Sequence, residues 1–483
     1  MKNTKVTNIE FATEISVAKL RASYGKMAEG YFEKEADEMR AKILNTPNTE
    51  ELYEIKGTKY YVAADGDDQN DGKSPEKAIK TLDAIEALPL KAGDAVLFKR
   101  GDIFRFGRTM NAVDGITYGS YGEGVKPKLF GSPENYAEND TWQEVRPNIW
   151  KIDFPNTEAG GCILDYGMIA GVQKKAEMID GLKENGDYCH DLENHIFYMY
   201  SVGKPNETWH DIEIMPRNTI IMLRDSIDVT IDNLCLKYTS SFAIHAPDIK
   251  NNINVTNCEI GYVGGLWQGT RVRYGNAIEF WAGLDDVHIQ NVKVLNNWFY
   301  QTYDSGLTWQ GSKTDTVYKN IDFSENLFEY NNADIEFFGK VGNVLENFRM
   351  ERNIMRFTSM GWGTRTFDGG IRGIEGCVRA VTTRTGKEGM DIKSVYFTDN
   401  IMDCPARQTI NWNIMKEQKQ FVHASGSKLY IKSEYRTLPT CLQGLQEDWE
   451  TEVYDIRTAP DKESLVKLFP RFEKGAEIVW DGE

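Results

Sequence analysis

The chain has 483 residues, with 56 Lys and Arg against 73 Asp and Glu, for a formal net charge of −17. Hydrophobic residues at 41% and charged residues at 27% describe a soluble globular protein and exclude a wholly disordered one. An acidic chain repels phosphate backbones, so nucleic acid is not an expected partner, and a polyanionic sugar would need a local basic patch.

Aromatic residues reach 12%, a composition that suits either a large core or the flat apolar faces of sugars. The cysteines, at 162, 189, 235, 258, 377, 404 and 441, are odd in number and nowhere in CxxC spacing. Neither a disulfide framework nor a zinc ribbon is expected. The N-terminus has no apolar stretch of signal-peptide length, and no window approaches ~18 apolar residues. A cytoplasmic protein with no membrane span is the expectation, unless a secretion signal has been trimmed.

Residues 9–45 have helical spacing, with Ile15, Ala18 and Ala22 on one face, and Pro47 ends the pattern. Residues 1–57 therefore read as a helical leader, which packs on the body or joins two copies into a homo-oligomer. From Lys59 the texture becomes short strands separated by Gly turns. The acidic loop 65–72 invites a structural calcium ion, but no Glu occupies the twelfth position of an EF-hand loop. No metal or cofactor is expected, and Asp, Asn and Gly there read as turn formers.

A repeat then occupies residues 225–435. Its copies read VTIDNLCL, NVTNCEI, KVLNNWFY, DFSENLFEY, RMERNIMRF and YFTDNIMDC, marked by Asn233, Asn257, Asn297, Asn326, Asn353 and Asn400. Successive gaps of 24, 40, 29, 27 and 47 fit single coils of a parallel β-helix, the longer ones carrying an inserted loop. Asparagine suits such bends because it tolerates the left-handed region and its amide can bond the next coil.

YYVAADGDDQNDGKSPEKAIKTL, AGDAVLFKRGD and the Asn-marked coils resemble right-handed parallel β-helix proteins of the pectate-lyase-like superfamily over residues 58–435. The resemblance implies an all-β fold, a single-stranded parallel β-helix with inserted loops. Residues 436–483 are expected to pack on its end. GNAIEFW and YQTYDSGLTWQ are most similar to the glycoside hydrolases of that fold. Lyases, epimerases and tailspikes share the superfamily.

Aligned on the marker asparagines, the next strands are FAIHA, NAIEFW, SGLTWQ, ADIEFF and QTINW. Ile244, Ile278, Leu307, Ile335 and Ile410 should point inward. His245, Glu279, Thr308, Glu336 and Asn411 should point outward, the first four as one row. Glycoside hydrolysis needs an acid and a base or nucleophile, and Glu279, Glu336 and Asp304 are the candidates, Asp304 lying on the coil between the two Glu. Substrate-binding candidates are His245, Asp334 and Trp309 near the row, with Trp267, Arg271, Arg273, Tyr274 and Trp362 from loops 261–276 and 361–390, which are rich in Gly, aromatics and Arg.

The expectation is a glycoside hydrolase acting on a carbohydrate. A polysaccharide lyase or uronate epimerase, with Arg271, Arg273, His245 and Lys340 as candidates, is the second reading. A non-catalytic glycan-binding β-helix is the third.

Overall fold

A computed structural model describes residues 29–175, 177–268, 272–364, 376–382, 389–406, 408–413, 416–432, 453–455 and 462–481. Ile15, Ala18, Ala22, Arg271 and Cys441 lie outside them. Three long sheets, of eleven, ten and nine strands, carry the architecture. Each full coil contributes one strand to each sheet. Val317–Ser324, Leu327–Glu329 and Ala333–Gly339 make one coil, and Val344–Glu351, Ile354–Arg356 and Gly376–Thr382 the next. Pairing between coils is parallel throughout, apart from Val453–Asp455, which closes the third sheet antiparallel. The protein is a right-handed parallel β-helix, the hand that twisted strands impose on parallel crossovers.

Inward side chains stack in register. Leu236, Ile260, Phe299, Phe328, Met355, Met402 and Leu429 form one such column in the second sheet. Phe299 and Phe328 stack at 5.0 Å with planes 12° apart. Each of these buried side chains contributes about 1.5–3 kcal/mol, so the core is continuous along the axis.

The marker asparagines divide into two positions. Asn233 (φ 60°) and Asn257 (φ 56°) occupy the left-handed bend itself. In later coils that bend falls one residue earlier, at Asn296, Glu325, Arg352 and Asp399. Asn297, Asn326, Asn353 and Asn400 instead form a fully buried ladder just past the bend. Each Oδ1 accepts the backbone N–H of its counterpart in the previous coil, at 2.8–3.0 Å. Each Nδ2 donates to a carbonyl of the previous coil, that of Val255, Val294, Phe323 or Met350, at 2.7–3.0 Å. The two properties of asparagine invoked for one site therefore act at adjacent sites.

The described part of the leader, from residue 29, packs on the body. Helix α1, Glu33–Leu44, covers the outer face of the second sheet. Arg40 binds Glu329 at 2.6 Å, and the fully buried Arg356 binds Glu329, Asp403 and Glu33. Near the C-terminus, helix α2, Lys462–Phe472, inserts Leu465, Phe469 and Phe472 into the core, and Glu477–Trp480 joins the second sheet.

One element was not anticipated. Between Lys128–Phe130 and Thr219–Met222 the chain leaves the helix to build a lobe of two small antiparallel sheets with its own core. The acidic loop caps turns: Asp68 accepts the N–H groups of Lys80 and Thr81, and Asp65 pairs with Lys99 at 3.0 Å.

Asn326→Ala would strand the buried Asn297 N–H and Val294 carbonyl, each worth about 1–3 kcal/mol. Thermal denaturation is expected to show a clear fall in Tm. Asn296→Gly, at the bend, keeps the left-handed geometry and is expected to cost no more than about 1 kcal/mol.

Candidate active site

The third sheet brings the expected row together. Ile244, Ile278, Leu307, Ile335, Val378 and Ile410 pair in register and face inward. Their successors His245, Glu279, Thr308, Glu336, Arg379 and Asn411 pair in the same register. Glu279 and Glu336 stand two strands apart, about 9–10 Å at the backbone. They are only 7% and 6% exposed, unlike solvated surface carboxylates.

Each is held by donors. Glu279 Oε2 accepts from Asn276 Nδ2 at 2.7 Å and Gln310 Nε2 at 2.8 Å, while His245 Nε2 stands 3.3 Å from Oε1. Glu336 accepts from Ser305 Oγ at 2.8 Å and from Arg379 Nη1 at 2.8 Å. Glu336 thus has a guanidinium partner, whereas Glu279 has amides and an imidazole.

Asp304, 7% exposed, precedes Ser305 on the coil between them. Its N–H donates to Gly275 O at 3.3 Å and its carbonyl accepts from Ala333 N at 2.9 Å, so its backbone touches both Glu-bearing coils. Ser305 links them again: its N–H donates to Asn276 and its hydroxyl to Glu336.

His245 stacks on Phe242 at 4.5 Å, and Phe242 lies 5.8 Å from Tyr274. Burial raises the Tyr274 phenol above its ordinary value, Arg217 opposing and the Glu279 charge adding. Glu158, from the lobe, lies near enough for its charge to act on Tyr274. Burial raises its carboxyl, against the pull of Lys175, Arg273 and Arg217.

Six substrate-binding expectations are overturned or lie outside the described residues. Trp309 is fully buried in the core between Tyr318 and Phe337, because strand alternation returns the residue after Thr308 to the inside. Trp362 is 3% exposed and fastens its loop to Gln301, through its N–H and its indole Nε1 at 2.8 and 2.6 Å. Trp267 bonds Gln173 of the lobe at 2.7 Å, with Lys175 over its ring at 4.3 Å. Arg273, 3% exposed, donates to the carbonyls of Gly265 and Gly160 and lies over Tyr303. Trp309 thus belongs to the core, and the other three side chains fix the lobe and loops rather than line an open groove. Arg271 lies outside the described residues.

Asp334 is the sixth. It is fully buried, accepting from Thr358 Oγ1 at 2.5 Å and Asn331 Nδ2 at 3.1 Å. Burial pushes its carboxyl up to about 7, although these hydrogen bonds pull the other way.

Sequence reasoning missed Arg379, Asn276, Ser305, Gln310 and Glu158. GCVRAVT carried a signal for Arg379, since it has an apolar residue at the inward position and Arg at the next.

No protein-family model matches this chain, and no curated protein does. Among solved structures the chain is similar to a GH136 lacto-N-biosidase from Eubacterium ramulus, at 13% identity over 80% of this chain, TM-score 0.33. It spans only 65% of that protein's length. A structure described as a glycoside hydrolase matches at 10% identity over 78% of this chain and 93% of the other, TM-score 0.43. A rhamnogalacturonan lyase matches at 11% identity over 78% and 74%, TM-score 0.36.

Asp334 predicts a pH effect on stability. Its folded value near 7 exceeds the unfolded value of about 4, so between these pH values the folded state holds the extra proton. Its contribution is therefore lost as pH rises through 7, to a total on the order of 4 kcal/mol. Asp334→Asn should leave Tm unchanged near pH 4 and raise it at pH 8, as thermal melts across that range would show.

Proposed function

We propose that the protein is a carbohydrate-active enzyme, and specifically a glycoside hydrolase using Glu279 and Glu336. One observation carries the reading: two nearly buried carboxylates project from the same face of a rigid sheet, two strands apart, each oriented by donors. A pair of carboxylates flanking a scissile bond is what glycoside hydrolysis requires.

Glu336, paired with Arg379, takes the role of base. Glu279, among neutral amides and His245, protonates the leaving oxygen. A backbone separation of about 9–10 Å suits a pair that admits a water between its carboxyls, the inverting arrangement. Asp304 is the alternative partner, one strand spacing of about 4.8 Å from either Glu coil, a distance that suits retention. The lyase reading gains nothing from Arg379, since that cation is already engaged by Glu336.

A screen of aryl glycosides and oligosaccharides tests the proposal, with reducing ends expected and no ultraviolet-absorbing unsaturated product. Glu279→Gln and Glu336→Gln should each lower kcat by about 10²–10⁴ without loss of fold. Glu279→Gln should spare activated aryl glycosides more than natural linkages, because only poor leaving groups need protonation. Proton NMR of the first-formed anomer is expected to show inversion; retention together with an inactive Asp304→Asn would transfer the nucleophile to Asp304. Near-normal turnover in all three variants would overturn the site.

A further inference from the structure

On the second sheet, away from the row, a cavity of ≈290 Å³ lies between the sheet and the lobe. Its depth is lined by Lys128, Lys237, Arg105, Asp211, Glu213 and Tyr238, and its rim by Asn135, Glu134 and Glu138. The volume falls at the lower end of ligand pockets, the size of a single sugar ring or a comparable metabolite.

The charges inside are mostly matched. Lys237 Nζ lies 2.5 Å from Glu259. Arg105 forks onto Glu213 at 2.6 and 2.8 Å, with Ser132 O also accepting. Asp211 is held well above the ordinary carboxylate range by burial and by neighbouring Glu213. Lys128 is the exception. It is 1% exposed, and its Nζ has no hydrogen-bond partner among the described residues. Burying an unpaired ammonium is costly, by several kcal/mol even after relaxation. A protein with no use for that charge would be expected to carry a Met or Leu there.

We propose that this cavity is a second ligand site, which takes a small sugar acid with its carboxylate on Lys128 and its hydroxyls toward Asn135, Glu134 and Glu138. The carboxylate gives Lys128 Nζ the hydrogen-bond partner it lacks among the described residues. The rim supplies polar partners for hydroxyls, which a bare inorganic anion does not carry. Phe130, whose ring lies 4.8 Å from that of Tyr238 and under Arg105, adds an apolar wall. This inference is independent of the proposed hydrolysis, since the cavity and the row belong to different sheets.

Calorimetric titration of the full chain tests it, with D-glucuronate as probe and D-glucose and inorganic phosphate as controls. Glucuronate is expected to bind one to one, and glucose to give no signal. Lys128→Met should weaken glucuronate by about tenfold or more, as loss of a charge-assisted hydrogen bond implies, while Glu279→Gln leaves it unchanged. Lys128→Met should also keep or raise Tm without ligand, because it removes an unpaired buried charge. The proposal is overturned by absent glucuronate binding, by binding indifferent to Lys128→Met or abolished by Glu279→Gln, or by phosphate binding in preference to glucuronate. It also fails if Lys128→Met lowers Tm, since the ammonium would then serve the fold.

Discussion

Parallel pairing at a spacing of about 4.8 Å is the constraint on which the rest of this protein depends. It converts a repeat along the chain into rows of side chains along an axis. An inward row becomes core, and an outward row becomes a line of functional groups whose separations are fixed by whole numbers of strands. Glu279, Thr308 and Glu336 occupy three consecutive rungs, so their spacing follows from hydrogen bonds between backbones rather than from loop conformation. A rigid sheet is a better platform for two carboxylates than two loops would be, because geometry matters to catalysis at the scale of an ångström.

The same constraint creates a difficulty at each corner. A coil that turns must leave some backbone groups without partners in the sheets, and burying them unpaired is costly. The Asn297–Asn326–Asn353–Asn400 ladder answers this, giving each coil an acceptor for an orphan N–H and a donor for an orphan carbonyl. The left-handed residue immediately before it turns the chain and is chemically freer. Asn, Glu, Arg and Asp all occupy that bend, whereas the buried rungs of the ladder keep asparagine across four coils.

This division explains what could be read from the chain. Coil-sized gaps, the inward Ile and Leu, and the outward His245, Glu279, Thr308 and Glu336 follow from periodicity, which is local information. Arg379 escaped because its strand follows an insertion after Arg356 that separates it from its marker, Asn353. Trp267, Arg273 and Trp362 looked like binding residues because they sit in Gly-rich loops. Their partners, Gln173, Gly160 and Gln301, lie 61–113 residues away in sequence, and no spacing rule reveals such contacts. The lobe was illegible for the same reason: antiparallel strands of irregular length carry no coil period.

The three outer faces of the helix then have separate uses. The first sheet presents a left-handed Asn bend at Asn252, Asn291, Asn320 and Asn347, and amides there bond from coil to coil, Asn347 to Asn320, Asn320 to Asn291, Asn291 to Asn251 and Asn252 to Asp228. The second is covered by α1 at one end and by the lobe at the other, and these covers help to pair its buried charges: Arg356 binds Glu33 of α1 as well as Glu329 and Asp403 of its own sheet, and Arg105 on the sheet side binds Glu213 of the lobe. The third carries the carboxylate row, whose donors come chiefly from its own sheet. Asn276, Gln310, Ser305 and Arg379 reach Glu279 or Glu336 from strands or strand entries of that sheet. Covering the second sheet requires residues distant in sequence, whereas the row is largely assembled by neighbours in register. The candidate active site is therefore the most local part of the molecule in construction, and it inherits its precision from the repeat.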